Sequence, residues 1–181
     1  HKGYLLADMI QFIYTLKPEL LKTLTFVIVE PFVANQTMQK NYFEEAFGDA
    51  INLLHVKCLE AFTCKEAFFA ANEIFDAFSC ELINDNQMLF IENGKVFFAS
   101  MDDETTTKAK EYGITKGELC LGYEPFANTM AHCCERFEFV TFDYGDKEAR
   151  NDFSLRIYAN HQVYPFFALT DLVEEKLRET N

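Results

Sequence analysis

The sequence predicts an α/β protein built from parallel βαβ units, with an antiparallel hairpin inserted around residues 87–99. Three observations predict it. Compact β-rich runs alternate with stretches of helical periodicity through the first part of the chain, the order that parallel βαβ units require. Three of the predicted strands end on an acidic residue, Glu30, Glu73 and Asp143, and open α/β sheets gather ligands outside the carboxyl ends of their strands. Two further runs, Met88 to Glu92 and Lys95 to Ala99, flank Asn93-Gly94, a dipeptide that tolerates the positive φ of a tight hairpin turn.

The elements follow in order. Leu5, Met9, Phe12, Ile13 and Leu16 recur at helical spacing over Tyr4 to Leu16, and Lys17-Pro18 ends that helix. Leu24 to Val29 reads as a strand running into Glu30-Pro31. A helix over Val33 to Phe47 closes at Gly48, and Ile51 to Val56 reads as the next strand. Ala67 to Ala71 is a short apolar run, long enough for a buried parallel strand, and it stops abruptly at Asn72-Glu73, with Asp76 three residues on. The residues alone leave two readings of that stop. It is a strand end presenting an amide and two carboxylates, or a strand followed by a helix that Asn72 caps and whose dipole favours Glu73 and Asp76. Beyond the hairpin, Asp102 to Glu111 reads as a polar helix or a mobile linker, Gly117 to Leu121 as a short strand and Tyr123 to Arg136 as a helix. Phe137 to Phe142 is a strand leading into Asp143-Tyr144-Gly145. Ser154 to Tyr158 and Gln162 to Tyr164 read as extended, and Asp171 to Arg178 as a charged closing helix.

Composition narrows the function classes. A chain of 181 residues suggests one domain with a sizeable core, and its 20 Phe with no Trp make ring packing a large part of that core. No apolar run is long enough to span a membrane. The formal net charge of −13 disfavours nucleic acid, whose phosphates need clustered Lys and Arg, and would draw in a basic substrate or partner; solubility alone also accounts for such a charge. Of the six cysteines, Cys58, Cys64, Cys80, Cys120, Cys133 and Cys134, none forms a Cys-x-x-Cys pair, and the histidines are scattered. Side chains adjacent on a helix, as in His132-Cys133-Cys134, diverge, so no metal is expected and free thiols in a reducing cytoplasm fit better. The first residues resemble neither a signal peptide nor an initiator Met, so His1 is expected to be a processing boundary.

No Gly-x-Gly-x-x-Gly, Walker or Gly-x-Ser-x-Gly motif is present. Glu30 follows Gly3 by 27 residues, close to the spacing at which an acidic residue takes ribose hydroxyls, although strand-ending glutamates are commonly solvated rim residues. Four segments make the sequence specific: Gly-Tyr-Leu-Leu-Ala-Asp at 3–8, Ile-Val-Glu-Pro at 28–31, Ala-Asn-Glu-Ile-Phe-Asp-Ala at 71–77 and Phe-Asp-Tyr-Gly at 142–145. Together with Ser154-Leu155-Arg156 and His161, these resemble the MidA family of class I S-adenosylmethionine-dependent methyltransferases, related to the mitochondrial complex I assembly methyltransferase. The resemblance covers most of the chain in order and implies a Rossmann-like sheet, mostly parallel with helices on both faces, in a single domain at 1–181 that lacks some of the family's elements at both ends. The family's first strand and Glu-x-Gly-x-Gly start would precede Gly3, leaving Gly3 as the last glycine of that loop. Leu121-Gly122-Tyr123-Glu124-Pro125 stands where the family has a Glu-Ile-Ser-Pro-like segment, and Thr170-Asp171-Leu172 does not clearly replace its downstream Asp-Leu-Thr.

Methyl transfer from a sulfonium is an in-line displacement that rests on positioning and desolvation. By resemblance, S-adenosylmethionine would lie with its amino-acid portion at Gly3, its ribose hydroxyls on Glu30 and its adenine edged by Cys58 and Leu59. Asn72 and Glu73 would face the methyl group. The family is associated with methylation of a protein arginine, so Glu73 and Asp76 become candidates for gripping a guanidinium, with Asp143 as a third wall. Arg156 and His161 could anchor a carboxylate or orient a loop, and structural roles fit them as well. The implied function is arginine methylation of a respiratory complex I subunit or a similar basic segment. Alternatives are a non-catalytic assembly module with the same fold or a small-molecule methyltransferase. An NAD-dependent enzyme would need a dinucleotide glycine loop upstream of Gly3.

Overall fold

A computed structural model describes residues 2–159 and 161–168, and these divide into two units. The first holds residues 1–69 and 128–138, the second 70–127 and 139–181.

The first unit opens on Gly3, whose φ of +87° suits a residue without a side chain; a Cβ there would also stand 2.7 Å from the Phe43 ring. Helix α1 (Tyr4–Leu16) follows and stops before Pro18, as the sequence predicts. Its buried residues are Ala7 and Ile10, with Leu6 and Ile13 packed beside them, whereas Leu5, Phe12 and Leu16 are exposed. Two apolar stripes overlap on this helix, and spacing alone cannot say which of them the core takes. Strand β1 (Thr25–Val29), helix α2 (Val33–Phe47) and strand β2 (Asn52–Val56) form one βαβ unit, with β1 and β2 parallel from Thr25↔Asn52 to Val29↔Val56. Gly48 caps α2 at positive φ. Ala7, Ile10, Leu21, Phe26, Phe43 and Ile51 make the core of this unit.

Strand β3 (Cys64–Asn72) begins before the predicted run and pairs, in the two-stranded sheet of this region, with β8 (Cys134–Phe142). Its burial alternates and Phe68 is 56% exposed, so it is not the doubly buried strand that its apolar run suggests. The predicted helix over Tyr123 to Arg136 ends earlier: α4 (Tyr123–Cys133) passes into β8 at Cys134. The division between the units falls within β3, α4 and β8.

The second unit contains an antiparallel sheet in the order β6-β5-β4-β7, formed by β4 (Glu81–Asn84), β5 (Gln87–Glu92), β6 (Lys95–Ser100) and β7 (Lys116–Leu119). The Asn93-Gly94 hairpin is present with Glu92 opposite Lys95, and Asp85-Asn86 makes a second two-residue turn between β4 and β5. All four turn residues have positive φ, which matches the twist of the flanking strands. The polar segment after β6 is helix α3 (Asp103–Tyr112), capped by Asp102 accepting from the Thr105 N–H and closed by Gly113. Ile83, Ala109 and Leu119 are its core. Also in this unit, Phe75, Phe78, Tyr123, Phe126 and Phe139 form a half-exposed ring cluster with centroids 4.9–6.5 Å apart, whereas of the Phe rings among the described residues only Phe26 and Phe43 are buried, fewer than the Phe content predicts. Strands β9 (Arg156–Ala159) and β10 (Gln162–Pro165) form a separate hairpin. The predicted helix at 171–178 and Thr170-Asp171-Leu172 lie outside the described residues.

The α/β character and the inserted antiparallel hairpin are therefore observed, but the single Rossmann-like sheet is not. The described strands form four small sheets, of which β1–β2 is parallel and the β4–β7 and β9–β10 sheets are antiparallel. Side-chain patterning marks which runs are strands, whereas sheet membership depends on which backbone edges meet. No described helix is long and apolar enough to cross a membrane.

Candidate active site

In the second unit, β3 and β8 finish side by side. The Glu73 N–H, just beyond the last residue of β3, donates at 2.8 Å to the carbonyl of Phe142, the last residue of β8. The next residue of β8's chain, Asp143, then grips the turn that follows β3. Its Oδ2 accepts from the Ile74 N–H (2.9 Å) and the Phe75 N–H (2.8 Å), and its Oδ1 accepts from the Tyr144 N–H (2.9 Å). These backbone donors hold the Asp143 carboxyl below its usual range. The short 3₁₀ turn Phe75–Ala77 thus receives its cap from Asp143, and not from Asn72 as the strand-then-helix reading would have it.

This anchoring shapes the tip. Phe75 sinks its ring into the aromatic cluster, 4.9 Å from Tyr123. Asn72, Glu73 and Asp76 are exposed, and Glu73 sits at φ +50°, a left-handed conformation uncommon outside glycine and asparagine. The Tyr144 hydroxyl donates to Glu73 Oε1 at 2.9 Å. That bond, with the charges of Glu73, Asp76 and Asp143 around the ring, pushes the Tyr144 phenol up. Tyr144 is thus hydrogen-bonded to Glu73 and lies in the electrostatic field of Asp76 and Asp143. Arg156 and His161 are not part of this group: Arg156 Nη1 donates to the Phe153 and Leu155 carbonyls at 3.0 Å, and His161 lies exposed in the β9–β10 turn with φ +61°. Neither shares a described hydrogen bond or ion pair with the three carboxylates. Tyr144 is a residue that sequence reasoning passed over, although it sits inside the Asp-Tyr-Gly motif.

The first unit holds the other candidates. Gly3 immediately precedes α1, and Cys58 is exposed just before the turn Leu59–Ala61, where the Leu59 carbonyl accepts from the Cys133 thiol. Glu30 is half-buried and extends the β1–β2 ladder, its N–H donating to the Val56 carbonyl at 2.9 Å. Pro31 has no N–H, so the first donor after Glu30 is Phe32, which bonds Glu30 Oε1 at 3.0 Å. Helix α2 supplies the remaining contacts: Gln36 Nε2 donates to the Glu30 carbonyl (2.6 Å) and Gln39 Nε2 to Glu30 Oε2 (3.3 Å). Nearby His55 is held below its usual pKa by burial and by Lys40, with Glu30 opposing. Among the described residues no three His, Cys, Asp or Glu side chains are grouped to hold a metal. His132 bonds the Asn128 carbonyl, Cys133 the Leu59 carbonyl and Cys134 the Cys64 sulfur, three different directions.

Comparison with known proteins adds the chemistry. No curated protein and no solved structure gives a match. A family model described as "Putative S-adenosyl-L-methionine-dependent methyltransferase" matches residues 2–172. Matched over nearly its whole length, the chain belongs to this family, whose cofactor is S-adenosyl-L-methionine.

Proposed function

We propose that the chain is a methyltransferase of the MidA type, methylating arginine in a protein partner with a basic segment, such as a respiratory complex I subunit. The observation that carries this reading is the exposed carboxylate pair Glu73 and Asp76 beside Tyr144, at the end of a strand pair. A guanidinium is a planar fork of donors, and carboxylates at a strand tip match it in charge and in hydrogen bonding. The net charge of −13 favours approach of such a segment. The six thiols suit a reducing cytoplasm.

The residues also fit the cofactor. Glu30 keeps one lone pair on each carboxylate oxygen after its bonds to Phe32 and Gln39, as a vicinal ribose diol requires. Gly3 presents bare backbone at the start of α1, and Cys58 with Leu59 offers a mixed edge for a heterocycle. Bound there, S-adenosyl-L-methionine supplies an electrophilic methyl group on sulfur. In the second unit, Glu73 Oε2, which no described hydrogen bond engages, is available to hold a guanidinium N–H, with Asn72 next to it in the chain. Asp143 acts behind them by fixing the 74–75 backbone, in place of the substrate-wall role that the resemblance implies. Arg156 and His161 are left for a more distant part of an acceptor.

The test is incubation of the purified chain with S-adenosyl-L-methionine and isolated complex I subunits, with methylarginine mapped by mass spectrometry. Glu73→Gln should abolish the modification while cofactor binding, read by calorimetry, persists. Undiminished methylation by the variant would remove Glu73 from the acceptor site.

A further inference from the structure

Gln36 and Gln39 stand three apart on α2, so their side chains lie on one face of the helix, and both amides reach the same residue. Gln36 holds the Glu30 backbone carbonyl and Gln39 holds the carboxylate. Gln39 is 4% exposed, unusual for a glutamine, and burying an amide costs free energy unless its hydrogen bonds are made. A carboxylate can only accept, so the group that Gln39 directs at Oε2 must be its NH2. The Phe32 N–H on Oε1 and Gln39 on Oε2 then restrict rotation of the carboxylate about its last bond. One lone pair per oxygen remains.

We propose that Gln39 is a positioning residue of the cofactor site, orienting the Glu30 carboxylate to receive both ribose hydroxyls of S-adenosyl-L-methionine. The inference rests on the reading of Glu30 as the ribose anchor. Gln36 assists by tying the Glu30 backbone to the same helix, so the carboxylate is steered from α2 at two points. Such preorganisation matters because a freely rotating carboxylate would lose side-chain entropy on binding. Removing the donor leaves Glu30 in place but unoriented.

The experiment uses the purified chain and four probes: S-adenosyl-L-methionine, S-adenosylhomocysteine, adenosine and 2′,3′-dideoxyadenosine. Gln39→Met keeps the length and apolar contacts of the side chain and removes its donor; Gln39→Leu is the second variant should Met disturb folding, which thermal melting reports. In calorimetry, loss of a hydrogen bond to a charged group should weaken the three ribose diols about tenfold. Dideoxyadenosine, which has no diol, should bind the variant and the parent alike. In a Glu30→Gln background the same substitution should have little further effect. Equal affinity of parent and Gln39→Met for adenosine overturns the proposal, and so does equal weakening of adenosine and dideoxyadenosine, which marks a merely structural role. Failure of the parent chain to bind S-adenosyl-L-methionine would instead overturn the assignment of Glu30 itself.

Discussion

Glu30 and Glu73 look alike in the sequence, each an acidic residue closing a β-rich run, yet the structure treats them in opposite ways. Glu30 is half-buried, keeps the β1–β2 ladder going, and has each carboxylate oxygen bonded by its own unit, through Phe32 and Gln39. Glu73 is exposed, held at φ +50°, and among the described residues is bonded through its side chain only by Tyr144, itself 79% exposed. The first carboxylate is built into the scaffold and the second is presented. A group that must hold one constant cofactor gains from rigidity, whereas a group that meets a larger acceptor must stay accessible. The neighbours carry the difference: Pro31 and the amide-bearing face of α2 lock Glu30, whereas the Asp143 clamp acts on the 74–75 backbone and leaves the Glu73 side chain outside.

The strongest way to break the comparison is to remove the scaffold under the first site. Phe43 is 1% exposed, supports Gly3 and packs in the core with Ile10 and Phe26. Phe43→Ala should lower the unfolding free energy by about 3–5 kcal/mol, measured by denaturant titration. A loss below about 1 kcal/mol would show that this core is not what stabilises the Glu30 region. Next in size is the separation of the two glutamates by binding. Glu30→Ala should weaken S-adenosyl-L-methionine by roughly ten- to a hundredfold in calorimetry, and Glu73→Ala should leave it within about twofold. The reverse pattern would exchange the two roles.

The smallest effect sharpens the exposed end. Tyr144 donates to Glu73 and faces negative charge, so its neutral form is favoured and its phenol should ionise above the ordinary tyrosine value near 10. Spectrophotometric titration of the parent against Tyr144→Phe isolates that step. Glu73→Gln removes the charged acceptor, so the step should move down towards the ordinary value; an unmoved titration would deny the Tyr144–Glu73 bond in solution.

Much of this was legible beforehand. The bounds of α1 follow from apolar spacing stopped by Lys17-Pro18, the end of α2 follows from Gly48, and the hairpin follows from Asn93-Gly94, because these signals are local. The Asp85-Asn86 turn carries a weaker signal, because it lacks a glycine. The Asn72 stop was ambiguous for a different reason: the cap on the following turn comes from Asp143, 69 residues away from Ile74 in the chain, and no local pattern announces it. Tyr144 and Gln39 likewise carry no local signal, since each becomes informative only through the carboxylate that it touches.

The sequence by itself determined the α/β alternation, the acidic strand ends and the general class of S-adenosyl-L-methionine-dependent methyltransferase, since periodicity, turn chemistry and ordered motifs are properties of the chain. Only the tertiary structure decided that the described strands form four small sheets, that Asp143 is tied up in backbone bonds, and that Glu30 is locked while Glu73 is displayed. The physical reason is that a carboxylate's role depends on which donors reach its lone pairs, and those donors arrive from elements far along the chain.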